Sequence, residues 1–153
     1  MSKINSYLIK YYKLSLLIFV ITGISKLILS MQEDRFLSVA HPLFSPLTNR
    51  QVFSIVGFIE LIIAALIAVE SKYILKSLFI LWISSVFIIY RLTMHYIGFK
   101  GPCGCLGNLK DILNVSDYIS LALLIYLFAG SSISLYIIKK SSDRNVNNNM
   151  VNI

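Results

Sequence analysis

Two cysteines, Cys103 and Cys105, are the only ones in the chain, and they stand one glycine apart. The thiolate is the reactive form of cysteine, and neighbouring positive charge favours it. Lys100 lies three residues before Cys103. A disulfide between cysteines this close closes a small, strained ring, and strain makes such a bond labile. It contributes little stability, because the loop it closes is very short. Thiol–disulfide exchange is the use that suits it. Three other uses stay open: an inert reduced pair, a lipid-modified or structural pair, or half of a metal site. The metal site needs two more ligands, which His41 and His95 would supply only by a coincidence of folding. A membrane oxidase that hands electrons from a soluble thiol protein to quinone commonly uses two cysteine pairs in relay. With one pair, this chain would exchange directly with a partner on one side and with quinone, or another protein, on the other.

A second group of residues is conspicuous because its surroundings are apolar. Glu60 lies within the run Gln51–Val69, Lys26 within Tyr11–Ser30, and Arg91 and His95 near the end of a run from Tyr73 to Ile97. A carboxylate near the middle of a bilayer costs about 2.5–3.5 kcal/mol on insertion scales, so Glu60 should face the bundle interior and have a partner. Lys26 or Arg91 could reach it. His95 follows Arg91 by one turn on the same face. Such a cluster beneath the cysteines could tune thiol chemistry or move protons. The bland reading is that Lys26 and Arg91 snorkel to the headgroups while a protonated Glu60 helps lock the helices. His41, in a long loop, reads as a surface or packing residue.

The elements that position these residues are membrane helices. Hydrophobic residues make up 57% of the 153-residue chain and charged residues 14%, well below the ~25% charged of soluble domains. The apolar residues come in runs near the ~20 residues that a bilayer core needs. Four spans are expected, at about 11–30, 51–69, 73–97 and 118–138, in a domain covering residues 1–140. An Asn-rich tail at 141–153 is expected to be disordered. The fold class is therefore an all-α, integral membrane four-helix bundle. Lys3, Lys10 and Lys13 before an apolar run resemble the start of a signal peptide, but no small-x-small cleavage site follows, so a retained first helix is expected. Pro42 and Pro46 break up the loop between the first two spans. The cysteines fall in a Gly- and Pro-rich segment before the last span.

The net charge of +7 does not point to nucleic acid, since the basic residues cluster at the ends of apolar runs and form no stripe. With both termini on one side, that side carries Lys3, Lys10, Lys13, Lys72, Lys76, Lys139, Lys140 and Arg144. The other carries Lys26, Arg35, Arg50, Arg91, Lys100 and Lys110. Eight against six places both termini in the cytoplasm. The cysteine loop then faces outward, where disulfides persist.

Several of these features together resemble the MauE/DoxX-like redox-associated membrane proteins. They are Ser25-Lys26-Leu27 at the end of the first helix, Phe36 and Pro42 in the polar loop, and Gly57-Phe58-Ile59-Glu60-Leu61 in the second helix. Arg91 ends the third helix, and Gly101-Pro102-Cys103-Gly104-Cys105-Leu106-Gly107 precedes the fourth. The resemblance covers about residues 8–140. It implies a four-helix bundle in the bacterial cytoplasmic membrane, with Cys103 and Cys105 as a redox pair and Glu60 as an intramembrane carboxylate. It also implies a role beside an extracytoplasmic thioredoxin-like partner in maturing a disulfide-rich protein of methylamine utilisation.

The leading expectation is thus a membrane-embedded thiol–disulfide exchange protein, with quinone as a possible electron acceptor between the helices. Two alternatives belong to other classes. A non-catalytic assembly factor would use its helix faces and not its cysteines. A small ion-coupled transporter would use Glu60.

Overall fold

The computed structural model describes residues 2–98 and 117–151. The described residues form five helices: α1 (Ser2–Met31), α2 (Arg35–Ser38), α3 (Asn49–Val69), α4 (Tyr73–Tyr96) and α5 (Asp117–Val151). No strand occurs among them, only one isolated antiparallel bridge between Ala40 and Thr48. Four stretches are long and apolar enough to cross a membrane: Ser6–Met31, Asn49–Val69, Tyr73–Tyr96 and Leu121–Ser141. The chain is an all-α, multi-pass membrane protein.

Side-chain distribution agrees with lipid as the outer solvent. Phe58, Ile62, Trp82 and Ile89 are 58–63% exposed on the bundle surface. An apolar exterior on this scale would aggregate in water and is at home in hydrocarbon. The interior is correspondingly rich in small polar residues. Ser77, Ser84, Ser131 and Ser134 are fully buried, and three of them satisfy their hydroxyls on their own helices. Ser84 donates to the Ile80 carbonyl (2.7 Å), Ser131 to Phe128 (2.9 Å) and Ser134 to Gly130 (2.8 Å). Small side chains let membrane helices approach closely where hydrophobic burial alone gives no drive to associate.

Local sequence sets the helix ends. Thr48 and Gln51 form a capping box at the start of α3: the Thr48 Oγ1 accepts from Gln51 N–H, and the Thr48 N–H donates to Gln51 Oε1 at 2.9 Å. At the other end of α3 the Glu70 carboxylate accepts from the backbone N–H groups of Ser71 and Lys72, both at 2.9 Å. Those bonds fix the tight turn into α4. They hold the Glu70 carboxyl below its usual range, with the Lys72 N–H the largest cause. α4 stops at Gly98, whose φ of +70° is the left-handed conformation that ends many helices.

The helices pack chiefly as two pairs, α1 with α3 and α4 with α5. α1 and α3 run antiparallel and nearly touch backbone to backbone. A Cβ added to Gly57 would lie 3.0 Å from the Gly23 carbonyl oxygen, and one added to Gly23 would lie 3.1 Å from the Gly57 oxygen. Tyr11 and Tyr12 join the pairs near the start of α1. Tyr11 donates to the Leu127 carbonyl at 2.8 Å. Tyr12 donates to the Tyr73 carbonyl at 3.0 Å, shares a 2.6 Å hydrogen bond with the Ser77 hydroxyl, and stacks on the Tyr73 ring.

The segment between α1 and α3 is folded down, where the sequence suggested only a polar loop broken by prolines. Leu37 on the short helix α2 is fully buried. The His41 N–H donates to the Leu47 carbonyl (2.8 Å) and Asn49 N–H to the Val39 carbonyl (3.0 Å). The Asn49 side chain donates to the Phe36 carbonyl (2.9 Å), and Arg50 donates to the Gln32 carbonyl (3.0 Å). This cap closes one end of the α1–α3 pair and positions His41 against α4.

Candidate functional site

Lys26 and Glu60 meet across the α1–α3 crossing. The Lys26 Nζ lies 2.6 Å from Glu60 Oε1 and 2.8 Å from Oε2. Each side chain is 2% exposed. The same near-contact of Gly23 with Gly57 that brings the backbones together makes this reach short. Glu60 is about 16 Å along α3 from its start at Asn49, taking ~1.5 Å per residue, so the pair is deep in the span. The ammonium also sits 5.5 Å from the centre of the Phe87 ring on α4, a cation–π contact that ties the pair to the second helix pair. Ser30 and Ser54 continue the polar seam nearer the capped end, with their hydroxyl oxygens 3.0 Å apart.

One turn of α4 beyond Phe87 lies a second polar contact. The His41 imidazole is buried, with Nε2 3.0 Å from the Tyr90 hydroxyl. The backbone N–H of Leu43 donates to His41 Nδ1 at 3.2 Å. Because Nδ1 accepts, the neutral ring carries its proton on Nε2 and donates it to Tyr90. Burial pushes the His41 pKa down, which favours the same neutral form.

Between these two contacts lies a cavity of about 350 Å³. Its walls come from α1, α3, α4 and the cap: Leu43, Phe44, Val52, Phe53, Val56, Val86, Phe87 and Ile89 supply carbon, while Lys26, Tyr90 and Thr93 supply the polar groups. Phe44 and Ile89 are half exposed or more, so the cavity opens at the bundle's side.

Residues 6–138 match the family model of the methylamine utilisation protein MauE. The chain belongs to the MauE family. No curated protein and no solved structure matches it. Membership supports a multi-pass membrane protein of the kind used in methylamine utilisation.

Among the residues that the sequence singled out, the MauE-family fold brings Lys26 and Glu60 together. Arg91 is half-buried one residue past Tyr90, and His95 is exposed near the end of α4, outside the buried pair. Cys103 and Cys105 lie outside the described residues. The structure adds His41, which the sequence suggested was a surface or packing residue. Nothing local marks it, because its partner Tyr90 is 49 residues away. Tyr90 itself reads as one more aromatic residue in an apolar run.

Proposed function

We propose that this MauE-family protein is a membrane-embedded thiol–disulfide exchanger that works with an extracytoplasmic thioredoxin-like protein. The observation that carries the reading is the Cys-Gly-Cys sequence between two membrane helices. With four spans in order, the end of α4 and the start of α5 lie on the same face as the cap at residues 32–48. One thiolate of the pair attacks a partner disulfide, which releases one partner sulfur as a thiolate and forms a mixed disulfide. The second cysteine then displaces the other partner sulfur and closes the Cys103–Cys105 bond. Run in reverse, the same two exchanges oxidise a partner dithiol. The charge count favours an outward-facing cysteine loop and cytoplasmic termini, in the bacterial cytoplasmic membrane. Disulfide maturation during methylamine utilisation is the process that the family name suggests.

A buried ion pair next to a folded cap suits a rigid platform for that chemistry. It suits ion transport less, because both Glu60 oxygens are already taken by Lys26.

The test traps free thiols in intact cells with a membrane-impermeant maleimide, before and after mild reduction. Labelling only after reduction is expected. The reading is lost if Cys103→Ser/Cys105→Ser leaves the oxidation state of every extracytoplasmic thiol protein unchanged.

A further inference from the structure

We propose that the cavity between α3 and α4 holds one acyl chain of a bilayer phospholipid, and that this chain is a packing element of the bundle. The proposal does not depend on the thiol chemistry.

The cavity lies where the two helix pairs meet, since α3 belongs to one pair and α4 to the other. Each pair is in close contact within itself, and the two touch each other much less. Here the seam is hollow, with a volume of about 350 Å³. The buried Val52 and Phe53 form its floor, while Phe44, Val86 and Ile89 at its mouth are 49%, 43% and 63% exposed. That mouth opens on a surface of lipid-facing side chains, so the slot runs from the bilayer into the seam.

Depth decides which part of a lipid can reach it. α3 is 21 residues long, close to the ~20 that span the hydrocarbon core, so its start marks the edge of that core. Val52 and Val56 follow Asn49 by one to two turns, or about 5–10 Å into the span. The slot is therefore level with the acyl chains of the leaflet on the cap's side, below the headgroups.

The wall decides the chemistry of the occupant. Its polar side chains are already engaged with protein. Both Glu60 oxygens take the Lys26 ammonium, His41 Nε2 meets the Tyr90 hydroxyl, and the Thr93 hydroxyl donates to the Ile89 carbonyl at 2.9 Å. What the slot offers a ligand is carbon. Water there would lack the two to four polar partners it needs, and a polar headgroup would give up its solvation for nothing. A hydrocarbon chain has no polar group to satisfy, and it restores the dispersion contacts that wall atoms lose beside a void. Phospholipid acyl chains surround the bundle at this depth, and one of them fills the slot.

The experiment places one copy of the full chain in a phosphatidylcholine nanodisc with a trace of phosphatidylcholine carrying a diazirine midway along one acyl chain. Adducts are mapped residue by residue after illumination. They are expected on Val52 and Phe53 as well as on the lipid-facing Trp82, which is the internal standard. Val56→Trp fills the slot and should lower the ratio of Phe53 to Trp82 adducts about tenfold, one decade of affinity. Val86→Phe is the second filling variant if the first does not fold. Both variants should also lose less melting temperature than the native chain when detergent strips the phospholipid. A labelled Trp82 without adducts on Val52 or Phe53, or a ratio unchanged in both filled variants, overturns the site. Adducts abolished by an isoprenoid alcohol at the same trace level, or by a second copy in the disc, overturn the acyl chain as the occupant.

Discussion

The two halves of the bundle are built on opposite terms. Around Tyr11, Tyr12, Tyr73 and Ser77 the helices are filled to contact and joined by neutral hydrogen bonds. Around Lys26, Glu60, His41 and Tyr90 they carry charge, enclose a cavity and lie beneath a folded cap. A full region tolerates the loss of an atom better than the gain of one. A hollow, charged region accepts added carbon but not the loss of one member of its ion pair. Close packing is concentrated in one half, and charge and open space in the other.

The sharpest way to break this contrast is to remove one charge. Lys26→Met leaves the Glu60 carboxylate buried without its cation, and breaking a buried pair in this way costs about 3–5 kcal/mol. Thermal unfolding in nanodiscs should show that loss, and Lys26→Met/Glu60→Leu should recover most of it. If the single variant melts like the native chain, the pair is not what holds α1 to α3.

Adding an atom to the full half comes next. A Cβ on Gly130 would run into the Tyr11 ring, which is held by its bond to Leu127. Gly130→Ala should therefore cost about 1–3 kcal/mol, the usual penalty for overpacking. A double-mutant cycle with Tyr11→Ala should show coupling between the two sites. Additive effects would mean the ring moves aside freely, and the half is less full than described.

Removing an atom from the same half should matter less. Tyr12→Phe deletes the hydroxyl shared with Ser77 and Tyr73 and should lower stability by about 0.5–1.5 kcal/mol, measured by the same melts. A loss as large as that of Lys26→Met would erase the distinction between the halves.

The smallest effect is a pH response of the cap. The His41 pKa is lowered by burial from its ordinary 6.5. As pH falls below about 6.5, the undocked loop takes up a proton while the docked one resists it, so docking weakens with acidity until the lowered pKa is passed. Limited proteolysis within residues 32–48 should be faster at pH 5.5 than at pH 7.5, and His41→Gln should remove the difference. A flat profile in the native chain would mean that His41 does not hold the cap.

How much of this was legible in the sequence depends on how local the signal is. The four spans could be read because hydrocarbon thickness sets their length directly. That Glu60 needs a partner could also be read, since charge in an apolar run is conspicuous. That Lys26 is the partner depends on the Gly23–Gly57 crossing, which brings together residues 34 apart in the chain. The His41–Tyr90 contact and the cavity had no local signature, because tertiary folding of the cap creates both. Tyr11 and Tyr12 could equally have been an interfacial aromatic belt, and only the buried partners on α4 and α5 show them to be internal.

The Lys26–Glu60 pair also constrains how the protein is made. Lys26 is synthesised first and enters the membrane without its carboxylate, which follows 34 residues later. At about 5–20 residues per second that gap is roughly 2–7 s. During it, the first helix carries a cation that is costly to leave in hydrocarbon and must keep its end near the headgroups or the insertion machinery. Arrival of the third helix neutralises the charge and draws the first helix inward, so the two helices settle into the bilayer as one unit.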